Sequence, residues 1–256
     1  MASPAMGIIH VHSTFSRDGL CSIADLAEFA RKVGFQFVAL TDHAEDLSAE
    51  DLGRFPQLCR RHSDESMVML PGLEFRCRND IHLLGIGIAC PIQSSDPVTV
   101  ATHIRAEGGL AILAHPSRSD YRCPPELWAV LNGIEVWNVG YDGRFVPPMP
   151  GFRILQEARR ANPSVFGFGG ADSHGLHRPP GVMLQLRGNG ELGGDGTMIL
   201  QHLKSGQFIV RGKYVAFDAV AAPNPLRRSS LWAFRKLYEM SKAIRDIGIL
   251  GTRRYP

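Results

Sequence analysis

The sequence is poor in cysteine, and its five cysteines follow no pairing pattern. They stand at positions 21, 59, 77, 90 and 123, and no two have the C-x-x-C spacing of a thiolate zinc site. An odd, scattered set also argues against a disulfide framework. We therefore expect a protein of a reducing compartment, and the cytoplasm fits best.

Long apolar runs are missing as well. The longest covers residues 83–90, whereas a membrane-spanning helix needs about 20 residues, so no span is predicted. The first six residues include no basic start, and no apolar stretch precedes His10, so a secretory signal is not expected. With 44% hydrophobic and 21% charged residues, the composition is that of a folded globular chain.

Strand-like and helix-like segments alternate along most of the chain. Strands are predicted at residues 7–12, 35–41, 67–70, 81–88, 110–114, 133–139, 165–169 and, as the final strand, 182–186. Helices are predicted at 23–33, 49–63, 98–107, 125–131, 152–161, 197–205 and 231–246. At this length the alternation favours an α/β barrel or an open doubly wound sheet, with mostly parallel strands.

Histidines and acids cluster at the ends of these predicted strands. The set is His10, His12, Asp18, Asp42, His43, Glu74, His82, His115, Asp172 and His174. The carboxyl ends of parallel strands meet at one rim of a barrel, so residues far apart in sequence would converge there. Imidazoles and carboxylates without thiolates suit Zn, Mn or Fe, and the set is too large for one ion. Asp42 is expected to hydrogen-bond a neighbouring imidazole rather than bind metal.

Six short motifs in this order resemble those of the PHP family (polymerase and histidinol phosphatase). They are His10-Val-His12-Ser-Thr-Phe-Ser-Arg-Asp18-Gly, Thr41-Asp42-His43, Gly72-Leu-Glu74, His82-Leu-Leu-Gly85, Ala114-His115-Pro116 and Ala171-Asp172-Ser-His174. Each motif alone is weak, but together they span residues 8–174. The resemblance implies a distorted (β/α)7 barrel, TIM-like and PHP-type, with two or three divalent metal ions at its rim.

The resemblance also implies a set of ligands for these ions. His10, His12, Glu74 and Asp172 would hold the first metal, and Asp18, His43 and His174 the second. Glu74 would bridge to a third ion, completed by His115 and His82, although His82 could instead be a structural residue. One departure from the family pattern is Ser16-Arg17-Asp18, where an extra residue precedes the Asp-Gly pair.

The activity implied by the resemblance is metal-dependent hydrolysis of a phosphate ester by a hydroxide that bridges two ions. Arg118 would clamp the phosphate oxygens, Asp18 would assist the leaving oxygen through water, and His177 would line the pocket. The expected substrate is a small phosphomonoester, a nucleotide or an oligonucleotide end; a nucleic acid is possible but not required. Two alternatives stay open: hydrolysis of carboxyl or carbamate esters, and a non-catalytic module.

Basic charge is concentrated after a proline-rich junction at residues 223–225. Residues 216–256 hold eight basic and three acidic side chains, net +5, whereas residues 1–215 hold 20 basic and 22 acidic, net −2. We predict a metallohydrolase barrel over 1–222 and a basic helical tail over 223–256, packed on or extending from the barrel. Its apolar stripe is expected to contact the barrel, although such helices also bind membranes or polyanions. The oligomeric state is not predicted.

Overall fold

The computed structural model describes residues 4–175, 180–188, 194–220, 229 and 231–240. Within these residues lie twelve strands: β1 (Met6–Val11), β2 (Phe37–Leu40), β3 (Asp42–His43), β4 (Val68–Leu70), β5 (Gly72–Arg76), β6 (His82–Ile86), β7 (Leu110–Ala114), β8 (Gly133–Asn138), β9 (Phe166–Gly170), β10 (Val182–Leu186), β11 (Phe208–Gly212) and β12 (Ala216–Asp218). The α-helices are α1 (Ile23–Val33), α2 (Ala49–Arg61), α3 (Pro97–Ala106), α4 (Val139–Asp142), α5 (Met149–Ala161) and α6 (Thr197–Lys204).

The strands form two six-stranded sheets, and the chain crosses directly from one sheet to the other at two places. One sheet has the order β12-β11-β10-β1-β2-β4 and the other β3-β5-β6-β7-β8-β9. The pairs β2 with β3 and β4 with β5 are each separated by one residue, so the chain passes directly from one sheet to the other. Beyond β9, Ala171 N donates to Ile9 O at 3.0 Å and His12 N donates to Ser173 O at 2.9 Å. These bonds join the far edge of the second sheet to β1, as expected for a distorted barrel.

Strand direction differs from the expectation at two places. β6 runs antiparallel to both β5 and β7, and β10 runs antiparallel to β1. Two further strands, β11 and β12, follow the strand that was expected to be the last, and they extend the first sheet as an antiparallel meander. The mixed α/β architecture is confirmed, whereas the prediction of an essentially parallel sheet is wrong for these strands.

Local signals account for the helices. Ser22 caps α1 by accepting from Asp25 N, and the Asp25 side chain accepts in turn from Ser22 N, which satisfies otherwise unpaired amides of the first turn. Gly34 ends this helix in the left-handed conformation, with φ of 80°. Helices α2, α3 and α5 contact β4, β6 with β7, and β8 respectively. Their apolar faces cover the sheets and fix the strand ends that carry the polar residues.

A helical stretch near the C-terminus contacts the barrel through few residues. Residues 231–240 are helical, Leu231 is buried, and the Arg235 guanidinium donates to the backbone oxygens of Asp142 and Val146. Phe234 and Leu237 of the predicted apolar stripe are exposed, whereas Leu231 of the same stripe is buried and the Tyr238 ring lies 5.8 Å from the Phe145 ring. Only part of the stripe therefore contacts the barrel. The rest of the predicted tail helix lies outside the described residues. No helix among the described residues is long and apolar enough to cross a bilayer.

Candidate metal centre

Glu74 stands at the middle of a cluster of imidazoles. Its side chain is 2% exposed and lies on β5, the strand that follows β4 in the chain and belongs to the second sheet. Oε1 lies 2.8 Å from His82 Nδ1 and 2.9 Å from His115 Nε2. Oε2 lies 3.2 Å from His43 Nδ1, 3.5 Å from His12 Nε2 and 3.6 Å from His10 Nε2. One carboxylate therefore faces five histidines from four segments of the chain.

The electrostatics of this cluster follow from burial and from the close imidazoles. Burial would raise the pKa of Glu74, but the charge of His10 and the hydrogen bonds from the histidines hold it well below its usual value. Burial and the charge of His10 lower the pKa of His12 well below 6.5. An ionised carboxylate beside a neutral imidazole is the protonation state that a divalent cation requires of its ligands.

His10 is held from behind by a buried acid that the sequence analysis did not identify. His10 Nδ1 lies 2.8 Å from Glu135 Oε1 on β8, and both side chains are fully buried. The second oxygen of Glu135 accepts from His115 N at 2.7 Å and from Asn138 Nδ2 at 2.8 Å. Because this contact occupies Nδ1, Nε2 is the His10 nitrogen that faces Glu74 and Asp172. The only feature of the sequence that could have identified Glu135 is its place as an acid inside an otherwise apolar strand.

His12 is held by a hydroxyl rather than by a carboxylate. Its Nδ1 lies 3.3 Å from Ser16 Oγ, and that hydroxyl donates to Asp42 Oδ1 at 2.8 Å. Asp42 also accepts from the backbone and hydroxyl of Ser13. The expected contact between Asp42 and an imidazole is therefore wrong: Asp42 binds two serines, and Ser16 makes the contact with His12.

A second group of side chains lies toward solvent. Asp18 Oδ2 lies 3.4 Å from both His43 Nε2 and His174 Nε2, and the Asp18 side chain is 47% exposed. The extra residue before Asp18 thus does not prevent its carboxylate from reaching these histidines. Asp172 Oδ1 connects this group to the buried one, at 3.5 Å from His10 Nε2 and 3.8 Å from His174 Nδ1.

Four overlapping groups have donor atoms within 4.8 Å of one another and could hold a metal ion: His12, Asp18, His43 and His174; His10, His115 and Asp172; His10, His12 and Glu74; Glu74, His82 and His115. All nine of the expected ligands occur in these groups. His12 and Glu74 each belong to two of these groups, so the groups form one continuous cluster. The donors are nitrogen and oxygen only, which suits Zn, Mn or Fe.

Unpaired nitrogen atoms provide a test of whether these residues fit a metal. Within the part of the chain that the structure describes, His10 Nε2, His12 Nε2, His82 Nε2 and His115 Nδ1 are buried and have no hydrogen-bond partner. A buried polar atom without a partner is costly, by about 1–3 kcal/mol. Donors around a tetrahedral ion with bonds of about 2.1 Å lie about 3.4 Å apart, close to the 3.5–3.6 Å that separates His10 Nε2 from Asp172 and Glu74. The residues fit a metal.

The backbone at three of these residues is left-handed. φ is 63° at His10, 25° at His115 and 47° at Asp172, a conformation that costs residues other than glycine about 1–3 kcal/mol. At His10 the pairing of β1 with β2 shifts register, so a β-bulge, rather than simple strand alternation, brings His10 and His12 to the same centre. His82 reaches the same rim because it begins the antiparallel β6.

Arg118 and His177 were also expected to contact the substrate, and the structure describes only Arg118. Arg118 lies in the 3-10 turn Pro116–Ser119 that follows His115, and its Nε donates to Asp80 Oδ2 at 2.8 Å. It is therefore beside the cluster and already paired with an acid. His177 lies outside the described residues.

Comparison with known proteins agrees with this fold. Residues 9–112 match the model of the PHP domain family, which confirms the resemblance seen in the motifs. No curated protein is significantly similar in sequence.

Three solved structures have a similar fold. The first is a proposed metal-dependent phosphoesterase from Bifidobacterium adolescentis, the second a two-domain protein from Bacteroides vulgatus that contains a proposed PHP-like metal-dependent phosphoesterase, and the third PsfC from Pseudomonas syringae. The first is 20% identical with a TM-score of 0.50, and the match covers 74% of this chain and 92% of that protein's chain. The second is 16% identical with a TM-score of 0.58, covering 82% and 65%. The third is 15% identical with a TM-score of 0.56, covering 93% and 99%. At these identities the likeness concerns the fold.

Proposed function

We propose that this chain, which resembles the PHP domain family in both sequence and fold, is a hydrolase of phosphate esters that depends on divalent metal ions. The observation that carries the proposal is the buried centre itself. Imidazole and carboxylate donors from separate segments converge on Glu74, and four of the nitrogen atoms there lack a partner among the described residues. Packing alone gives no reason to gather and leave unpaired so many polar atoms.

The proposed ligands divide among two or three ions of Zn, Mn or Fe. His10, His12, Glu74 and Asp172 would hold the first ion, and Asp18, His43 and His174 the second. Glu74, His82 and His115 would hold a third. Their distances and burial support this division, and the shared Glu74 carboxylate would keep the ions close together.

Metal ions bound here would polarise a phosphoryl group and supply an activated water near neutral pH. The protein's part is to keep the ligands in one protonation state and one orientation. Glu135 holds the proton of His10 on Nδ1, and Ser16 does the same for His12. Asp18 is the most exposed acid of the cluster, and we assign it the orientation of a water molecule that protonates the leaving oxygen. Arg118 would bind phosphate oxygens with its planar fork.

The proposed substrate is a small phosphomonoester or a nucleotide. The net charge of −2 over residues 1–215 supports a small substrate over a polyanion. The five cysteines are unpaired, which supports a reducing compartment such as the cytoplasm.

The test is metal analysis combined with hydrolysis of p-nitrophenyl phosphate. We expect two to three divalent ions per chain, activity that a chelator abolishes, and recovery on adding Mn²⁺ or Zn²⁺. Glu74→Gln should lower both metal content and activity, the latter by at least about a hundredfold. Glu28→Gln, an exposed glutamate on α1, is the matched control and should change neither.

Two results would contradict the proposed activity, and a third would change the proposed substrate. Faster hydrolysis of p-nitrophenyl acetate than of p-nitrophenyl phosphate would identify a carboxyl esterase instead. Metal content no higher than background would indicate a non-catalytic module. A steep loss of activity on oligonucleotides with added salt would indicate a polymeric substrate.

A further inference from the structure

Arg118 is held at two of its nitrogen atoms beside the candidate metal centre. Its Nε donates to Asp80 Oδ2 at 2.8 Å, and its Nη1 donates to the Tyr141 hydroxyl at 2.7 Å. The Arg118 side chain is 31% exposed, and Tyr141 is 46% exposed. Two contacts to different nitrogens fix the plane of a guanidinium, which a single contact does not.

Both partners of Arg118 also lead back to the cluster. The Tyr141 ring lies 4.7 Å from the His115 ring, and His115 Nε2 is 2.9 Å from Glu74 Oε1. On the other side, Asp80 Oδ1 lies 3.9 Å from His82 Nε2. The contacts therefore form a closed circuit through Glu74, His82, Asp80, Arg118, Tyr141 and His115.

This circuit leaves part of the guanidinium free to bind an anion. Arginine has five N–H donors, and the contacts to Asp80 and Tyr141 use two. We infer that Tyr141 is a positioning residue for substrate binding: its hydroxyl, opposite the anchor at Asp80, holds the remaining donors of Arg118 toward a phosphate at the centre. This rests on the proposed function, because it assigns the orientation of the phosphate clamp in the same site.

An oriented Arg118 guanidinium should strengthen the binding of one class of phosphate ester more than another. A phosphomonoester presents three non-bridging oxygens and two negative charges, whereas a diester presents two oxygens and one charge. Donors added beside a site that binds cations therefore favour the monoester. Loss of the Tyr141 contact should reduce monoester binding more than diester binding.

The experiment compares Tyr141→Phe with the wild type in the full-length, metal-loaded protein. The variant keeps the ring against His115 and removes only the hydroxyl. We expect KM for p-nitrophenyl phosphate to rise about tenfold with kcat within about twofold, and inorganic phosphate to bind about tenfold more weakly by calorimetry. The ratio of activity on p-nitrophenyl phosphate to that on bis(p-nitrophenyl) phosphate should fall, and metal content should stay the same.

Two further variants show whether Tyr141 acts through Arg118. Tyr214→Phe, at an exposed tyrosine before β12, is the matched control and should leave all five quantities unchanged. In an Arg118→Lys background, which lacks the planar fork, Tyr141→Phe should change phosphate affinity by less than about twofold because coupled residues are not additive.

Unchanged phosphate affinity in Tyr141→Phe, or a full effect in the Arg118→Lys background, would overturn the inference and leave the proposed function intact. If the wild type hydrolyses neither ester, the proposed function fails, and calorimetry with inorganic phosphate still decides the role of Tyr141. A metal-loaded wild type that does not bind phosphate overturns both.

Discussion

His10 Nδ1 and Glu135 Oε1 lie 2.8 Å apart, and neither side chain is exposed to solvent. Burial lowers the pKa of His10, but the charges of Glu135, Asp172 and Glu74 outweigh this and raise it well above 6.5 in the metal-free protein. The same contact lowers the pKa of Glu135 against the effect of its burial. Glu135 therefore supports His10 with or without a metal: it stabilises a charged ring in the free protein and orients a neutral one in the bound form.

Glu135→Gln should weaken metal binding without removing a ligand. The amide has the shape of the carboxylate but lacks its charge, so it no longer fixes the His10 proton on Nδ1 with the same strength. We expect metal affinity to fall about 10–100-fold, measured by calorimetry with Mn²⁺ or Zn²⁺. Glu28→Gln serves as the control, and an affinity equal to that of the wild type would contradict the role assigned to Glu135.

Removal of metal should destabilise the protein. The buried nitrogens that lack partners gain them when an ion binds, so only the folded state benefits. At a free metal concentration of about 100 times Kd, binding adds about 2.7 kcal/mol, which for a chain of this size raises Tm by about 5–10 °C. Calorimetric melting with chelator and with added Mn²⁺ measures the difference. Coincident melting curves would argue against occupation of the buried site.

Metal binding should release protons, with His43 as one source. Burial lowers its pKa, but the hydrogen bond and charge of Glu74 and the charge of Asp18 raise it to about 9 in the metal-free protein. An ion must displace this proton at neutral pH, so apparent affinity should rise up to about tenfold per pH unit per proton until pH 9. Calorimetry in two buffers of different ionisation enthalpy counts the protons released.

The same pKa has a defined effect on stability. This pKa is raised above the usual 6.5, so the stabilisation that His43 gives the metal-free fold is complete below pH 6.5 and is lost as pH rises through about 9.

On binding metal, His43→Gln should release fewer protons than the wild type, whereas His103→Gln on the exposed side of α3 should release the same number. Equal release by the wild type and His43→Gln would exclude this source.

Local features of the fold were predictable because their causes are local. Helix α1 has its predicted bounds, and strands β7 and β10 have theirs. The direction of β6 was not predictable, because a strand's own sequence does not state which way it pairs. β11 and β12 were missed, since short half-exposed strands have weak patterns.

The candidate site divides in a similar way. The positions of His10, Glu74 and His115 were predictable from motifs at strand ends, and the structure brings these side chains together. Glu135 was not, because an acid within an apolar strand gains meaning only when its neighbour across the barrel is known. Tyr141 was missed for a related reason: its contacts to Arg118 and His115 join residues 23 and 26 positions away.

Gly170→Ala should affect the metal centre without altering any residue that contacts it. A Cβ at Gly170, the last residue of β9, would lie 1.7 Å from Glu135 Oε1 and 2.5 Å from its carboxyl carbon, so the carboxylate must move away from His10. We expect weaker metal binding, as in Glu135→Gln, and a loss of about 1–3 kcal/mol of stability. Gly53→Ala in α2, where a Cβ meets nothing within 4 Å, should instead stabilise the helix slightly and leave metal affinity unchanged.

The double variant Gly170→Ala with Glu135→Gln decides the mechanism of the Gly170→Ala effect. Because both changes act on the contact between Glu135 and His10, their effects on metal affinity should not add. Fully additive losses would show that Gly170 influences the site by another path.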